Sequence, residues 1–225
     1  MSYRAVATDY DGTLATDGRV GARTLAALEE LRRAAIRLVL VTGRRLDDLA
    51  TVFPAARLFD AIVGENGAVL ALAGEPRRAL APAPPPGLPA ALRAHGVPFV
   101  AGEVVVATWE PHGPALRRAL AALRARLEVV PNKEALMVLP PGVDKASGLA
   151  AALPSLGVVM EEVVAIGDAE NDEVMLRAAG YGVAVANALP SVRAAADLVT
   201  RGARGAGVEE IARRLRAGDL PSRRR

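Results

Sequence analysis

Residues 3–18 read YRAVATDYDGTLATDG, an apolar run that gives way to three carboxylates, Asp9, Asp11 and Asp17. YRAVATD, residues 3–9, has the short, uninterrupted apolar character of a buried strand. Asp-Tyr-Asp-Gly-Thr then follows at once. It is either a turn that happens to be acidic or a pair of acids, Asp9 and Asp11, delivered at a strand end. The rest of the chain decides between the two.

Outward from this stretch, short Val-rich runs alternate with longer Ala/Leu segments of helical period. Strands are expected at 3–9, 36–43, 61–67 and 68–72, and helices at 22–35 and 45–53, the second stopped by Pro54. At 80–89, LAPAPPPGLP, half the residues are proline, which reads as a linker. Beyond it the order changes to a short helix near 88–95, strands within 97–110, a helix at 113–127 and strands around EVVPNKE and ALMVLP. After PPGVDKASG, 140–148, the alternation resumes: a helix at 146–154, a strand VVAIGD at 163–168 and a helix over 171–180. A strand at 182–187, a helix near 189–196, a strand at 197–200 and a last helix at 208–218 complete it. The fold class expected is α/β, a doubly wound, mostly parallel Rossmann-like sheet covered by helices. Residues 1–80 and 141–225 form its core, and 81–140 are an inserted α+β cap.

With 52% hydrophobic and 24% charged residues, the 225-residue chain can bury a sizeable core. It has no cysteine, which removes disulfides, zinc-thiolate sites and cysteine nucleophiles together. No apolar run reaches membrane-spanning length, and MSYRAVATDYDG lacks a signal-peptide pattern, so no membrane partner and a cytoplasmic location are expected. The net charge of +3 invites nucleic acid, but the arginines are scattered along helix faces and aromatics make up only 3% of the chain. Only the terminal LPSRRR is a basic cluster, and no nucleic-acid partner is expected.

In open α/β sheets ligands bind beyond the carboxyl ends of the strands. Four polar groups fall there in this reading: Asp9-Tyr10-Asp11-Gly12-Thr13; Thr42-Gly43-Arg44; Lys145, at the first turn of the re-entering helix; and Asp168, with Asn171 and Asp172 just after it. Each has an ordinary explanation singly. Asp-X-Asp-Gly is a common turn, Thr before Gly a helix cap, Lys145 a surface lysine and GDAEND an acid-rich helix start. None of these explains why all four share one edge of the sheet.

DYDGT, VLVTGR, DKASGL and GDAENDEVML resemble the four ordered motifs of the haloacid dehalogenase superfamily. The α+β insert between the second and third, and the segment GENGAVL, resemble its Cof-like branch, which includes sugar phosphatases and archaeal-type phosphoglycolate phosphatases. The resemblance implies a phosphatase in which Asp9 is the nucleophile and Asp11 the acid that protonates the leaving oxygen and then activates water. It implies Mg2+ held by Asp9, the backbone carbonyl of Asp11 and Asp168. Asp172 would bind directly or through water, and Asn171 would orient it. Lys145 would pair with Asp9 and a phosphate oxygen, while Thr42, Gly12, Gly43, Arg44 and Asn171 would contact substrate.

Charge accounts for the set. A phosphomonoester carries up to about −2 at neutral pH, and Asp9, Asp168 and Asp172 add three negative charges. Mg2+ and Lys145 still leave the sum negative by about two, so fixed donors at Thr42 and the loop amides must complete the neutralisation. Asp11 argues against a dehalogenase, since halide needs no protonation, and against the superfamily's ion pumps, which carry Thr there. A phosphomutase keeps both acids and stays open. A receiver-like or non-catalytic phospho-binding protein also stays open, although receivers carry the accepting Asp on the third strand.

The partner expected is therefore a small phosphorylated metabolite. Cap residues near strand ends, Trp109, Glu110, His112, Asn132 and Lys133, are candidates to select it, and Asn187 is a candidate from the strand at 182–187. His95 and His112 form no metal-ligand pattern. The Gly-rich LVTRGARGAG is not spaced for a dinucleotide and reads as core packing.

Overall fold

A computed structural model describes residues 3–124 and 126–221, so the terminal arginines of LPSRRR lie outside the described residues. The chain begins β1 (Ala5–Thr8), α1 (Ala22–Arg33), β2 (Arg37–Val41), α2 (Leu46–Val52) and β3 (Ala61–Gly64). It continues through β4 (Val69–Leu72), β5 (Arg78–Ala79), α3 (Leu88–Ala94), β6 (Val100–Ala101), β7 (Val106–Trp109) and α4 (Gly113–Leu123). Then come β8 (Glu128–Asn132), β9 (Ala135–Leu139), α5 (Lys145–Leu156), β10 (Val163–Gly167) and α6 (Glu173–Ala178). The chain finishes with β11 (Tyr181–Ala184), α7 (Pro190–Ala195), β12 (Leu198–Val199) and α8 (Gly205–Ala217).

Two sheets result. The larger has the order β12-β11-β10-β1-β2-β3-β4-β5, parallel from β12 to β3 and antiparallel at β4 and β5. Every residue of β1, β10 and β11 is buried, as strands covered on both faces require. α1 packs on β2 and α8, and α5 packs on β2, β3, β4 and α6. The smaller sheet is antiparallel, β6-β7-β9-β8, and shares an apolar cluster with α3 and α4 built on Leu88, Leu92, Leu116 and Val138. Among the described residues no helix is long and apolar enough to cross a membrane.

The α/β class expected from the sequence is the observed one, with several local differences. Arg78–Ala79 adds an eighth strand where no element was expected. The helix expected over 113–127 stops at Leu123, because Arg124 turns left-handed and the chain then enters β8. Residues 170–172 form a 3-10 turn ahead of α6, and α8 begins at Gly205, earlier than the periodicity suggests. Gly205 and Gly207 lie against Thr24 and Thr200, so the Gly-rich stretch is helix packing.

Candidate active site

The order β10-β1-β2 puts three of the motifs side by side. Thr8 pairs with Ile166 on one side and Leu40 on the other. Asp9, Thr42 and Asp168 each follow the last residue of their strand and emerge at one edge. A parallel sheet with its hydrophobic register fixed leaves these side chains no other exit.

α5 delivers the fourth group. Asp144 caps it, accepting from the Ser147 amide at 2.7 Å, while the Ser147 hydroxyl closes the capping box. Lys145, its first residue, is buried, and its Nζ donates to Asp9 Oδ1 at 2.7 Å and to Asp172 Oδ1. Asp172 Oδ2 accepts the amides of Asp168 (2.8 Å) and Ala169 (2.9 Å), which leaves both its oxygens engaged. Asp168 Oδ1 accepts from the Thr13 hydroxyl at 3.0 Å. One oxygen each of Asp9, Asp168 and Asp172 lie within 4.8 Å of one another.

Such crowding shifts the equilibria. Burial pushes the Asp9 carboxyl up, reinforced by Asp172 and Asp168 and opposed by Lys145. Asp168 is also raised by burial, with Lys133 and Thr13 pulling the other way. Burial alone would lower Lys145, but Asp172 and Asp9 outweigh it and hold the ammonium charged.

The second sheet closes over this edge. The Lys133 ammonium donates to Asp168 Oδ2 at 2.8 Å and reaches the Asp11 carbonyl at 3.4 Å, and its amide donates to Glu170 Oε2 at 3.0 Å. Gly12 lies beneath with φ +88, and a Cβ there would meet Asp168 Oδ2 at 2.4 Å. Asn187 Nδ2 donates to the Gly12 carbonyl at 2.8 Å, tying the loop to the strand-β11 side. A cavity of about 170 Å³ remains between the sheets, lined by Asp9, Asp11, Gly43, Arg44, Asn132 and Met137. Arg44 grips Asp11 there through two bonds, Nε at 2.6 Å and Nη2 at 2.7 Å, and lies over the Tyr10 ring. The larger groove of about 910 Å³ between α1 and α8, edged by Arg23, Glu30, Glu209 and Arg213, contains none of these residues.

Most of the expected residues thus meet. Thr42 is buried at the β2 end, where its hydroxyl accepts the Arg44 amide at 3.1 Å. Two donors point elsewhere. The Gly12 amide turns to Ala15 O at 3.3 Å because the loop is a tight turn. The Asn171 side chain donates through Nδ2 to Asn66 Oδ1 at 2.8 Å rather than lining the cavity. Of the candidates for substrate selection, Asn132 and Lys133 arrive, both at the β8–β9 turn. Trp109 and Glu110 are exposed, and neither they nor His112 line the cavity. Sequence reasoning missed Met137, Asn66 and Glu65, and it gave Thr13, part of the first strand-end group, no role of its own. Thr13 stands two residues after Asp11, and Asn66 and Glu65 sit in GENG, so position along the motif is the signal that could have found them.

The sequence matches the haloacid dehalogenase-like hydrolase family over residues 6–78 and 120–211. A phosphoglycolate phosphatase of Methanothermobacter thermautotrophicus is 34% identical, the match covering 94% of this chain and 98% of that protein. One from Methanopyrus kandleri is 31% identical over 93% and 96%. The crystal structure of a haloacid dehalogenase-like hydrolase from Bacteroides thetaiotaomicron superposes with a TM-score of 0.81 at 24% identity, covering 95% of this chain and 100% of that one, which establishes the shared fold. The chain belongs to the haloacid dehalogenase-like hydrolases.

Proposed function

We propose that the protein is a Mg2+-dependent phosphatase that hydrolyses a small phosphomonoester through a phosphorylated Asp9. The observation that carries this reading is the convergence of Asp9, Lys145, Asp168 and Asp172 at one sheet edge, beneath a cavity of about 170 Å³ that Asp11 also lines. The near-full-length likeness to phosphoglycolate phosphatases supports a two-carbon phosphorylated acid as substrate, with sugar phosphates as the competing class. We keep the division into a core, 1–80 and 141–225, and a cap, 81–140. Two separate sheets support it.

The donor set fits a hard divalent cation. Asp9, Asp168 and the Asp11 carbonyl offer only oxygen, and the Lys133 ammonium against the last two marks the spot as one that holds positive charge. When bound there, Mg2+ would neutralise phosphoryl oxygens. Asp172, with both oxygens engaged, is assigned to hold Lys145 and the 168–169 amides, touching a metal only through water.

An Asp9 oxygen attacks phosphorus, the bond to the leaving oxygen breaks, and Asp11 gives that oxygen its proton. Asp11 then takes a proton from water, whose oxygen attacks the acyl phosphate and frees phosphate and Asp9. Lys145 keeps Asp9 oriented and offsets its charge, and Thr42 and the Gly43 loop face the phosphoryl oxygens. Arg44 must loosen its grip on Asp11 for the proton to move, and an anionic group on the substrate is the natural alternative partner for its guanidinium.

The test is hydrolysis of an aryl phosphate with and without Mg2+, by wild type and Asp9→Asn. Turnover that needs the metal and vanishes in the variant is expected. Undiminished activity in Asp9→Asn would remove Asp9 from the reaction.

A further inference from the structure

One buried carboxylate in this region takes no part in the chemistry above. Glu65, 2% exposed, follows β3 in a 3-10 turn and reaches into the second sheet's β6–β7 loop. Its Oε1 accepts the Glu103 amide at 2.8 Å, and its Oε2 accepts those of Val104 (2.8 Å) and Val105 (2.9 Å). Three consecutive amides around one carboxylate form an anion nest, here filled by a side chain from the other sheet. The approach is so close that a Cβ on Gly102 would meet the carboxylate at 2.4 Å. Burying this charge is tolerable only while all three donors stay in place.

The nest joins cap to core where it matters for the cavity. Val104 and Val105 pack with Ala68, Val69, Met137 and Leu139 in one apolar seam. The strand that follows, β7, pairs with β9 so that Ala107 opposes Met137, whose methyl packs onto Gly43 in the cavity wall. The same turn also reaches the core motifs. The Asn66 amide donates to Thr42 O at 3.0 Å, and Asn66 Oδ1 accepts from Asn171. Glu65, Asn66 and Gly67 hold φ values of +50, +58 and +107, an unfavourable run that persists only where surrounding contacts impose it. Among the described residues, the other polar ties between the sheets, Arg45 to Ala101 O, Arg77 to Glu103 and the Lys133 contacts, involve exposed or half-exposed side chains.

We propose that Glu65 is a positioning residue that seats the cap over Asp9, so that Asn132 and Met137 bound the cavity and limit it to small phosphomonoesters. Its part in substrate selection rests on the phosphatase reading, whereas its part in seating the cap does not.

Two variants attack the contact from opposite sides: Glu65→Gln, which removes the charge at constant size, and Gly102→Ala, which leaves Glu65 intact and crowds it. In both, hydrogen exchange at the 103–105 amides should quicken by about tenfold or more, as expected for losing charge-assisted bonds. Exchange in β1 should stay unchanged. KM for a two-carbon phosphorylated acid should rise by a similar factor while kcat for an aryl phosphate stays within about twofold, since the chemistry is intact. Unchanged exchange at 103–105 in Glu65→Gln would overturn the proposal. So would a parallel fall in kcat for both substrates, which marks general damage. If the wild type hydrolysed no phosphomonoester, the phosphatase reading would fall and the exchange result alone would decide the seat.

Discussion

The two faces of the cavity are built differently. On the core face, Lys145, Asp9 and Asp172 are buried and bonded to one another or to backbone amides, and the buried Asp168 carboxylate accepts from the Thr13 hydroxyl. On the cap face, Lys133 is 43% exposed along its side chain and reaches Asp168 and the Asp11 carbonyl through its ammonium. A buried, mutually satisfied charge cluster holds one geometry. A single half-exposed lysine on a hairpin turn can leave and return. The core face suits chemistry that must not vary between substrates, and the cap face suits recognition that must.

Breaking the core side should have the largest consequence. Lys145→Met leaves Asp9 and Asp172 facing each other without their shared cation, a change that costs about 3–5 kcal/mol when one partner of a buried pair is removed. Thermal unfolding should show that loss, and turnover should fall by about a thousandfold or more, since units of a catalytic cluster act together. A variant with near wild-type stability and rate would refute the buried triad.

The pH response is the next largest effect. Folding raises the Asp9 and Asp168 carboxyls above their unfolded values, Asp9 to about 7. The stability these two groups contribute is full at low pH and is lost as pH rises through their folded values. Cation binding needs the ionised forms and therefore tightens over the same window. The rise in Tm on adding Mg2+ should be greater above pH 7 than below it. Melting curves across that range decide the matter, and an equal or larger shift on the acid side would contradict it.

The smallest effect belongs to the cap. Lys133 holds Asp168 and the Asp11 carbonyl that a cation would take. Lys133→Met should therefore tighten Mg2+ binding by about two- to fivefold, the scale of a half-exposed ion pair. Calorimetric titration of the substrate-free protein reads this directly, and weaker binding in the variant would reverse the assignment.

The same contrast explains what was legible in the sequence. Asp9, Thr42 and Asp168 could be placed because each follows a buried strand, and a parallel register fixes where the next residue emerges. Lys145 could be placed because Asp144 and Ser147 mark the helix start. Asn171 was read from its motif, but its partner, Asn66, depends on a left-handed turn that composition does not announce. Met137 reads as one more apolar strand residue, and only the docking of one sheet on the other turns it toward Gly43. Glu65 carries no sequence signal of its role, because its three donors lie about forty residues away in the chain.

In the proposed reaction Asp9 carries the phosphoryl group and Asp11 handles the protons. The most direct measurement is acid quenching of Asp11→Asn mixed with an aryl phosphate and Mg2+, followed by peptide mass analysis. An aryl leaving group needs little protonation, so the first step should proceed while the second, lacking its base, stalls. One phosphoryl group on the Asp9 peptide is the predicted result. Phosphate release with Asp9 never modified, or modification of another residue, would contradict the account.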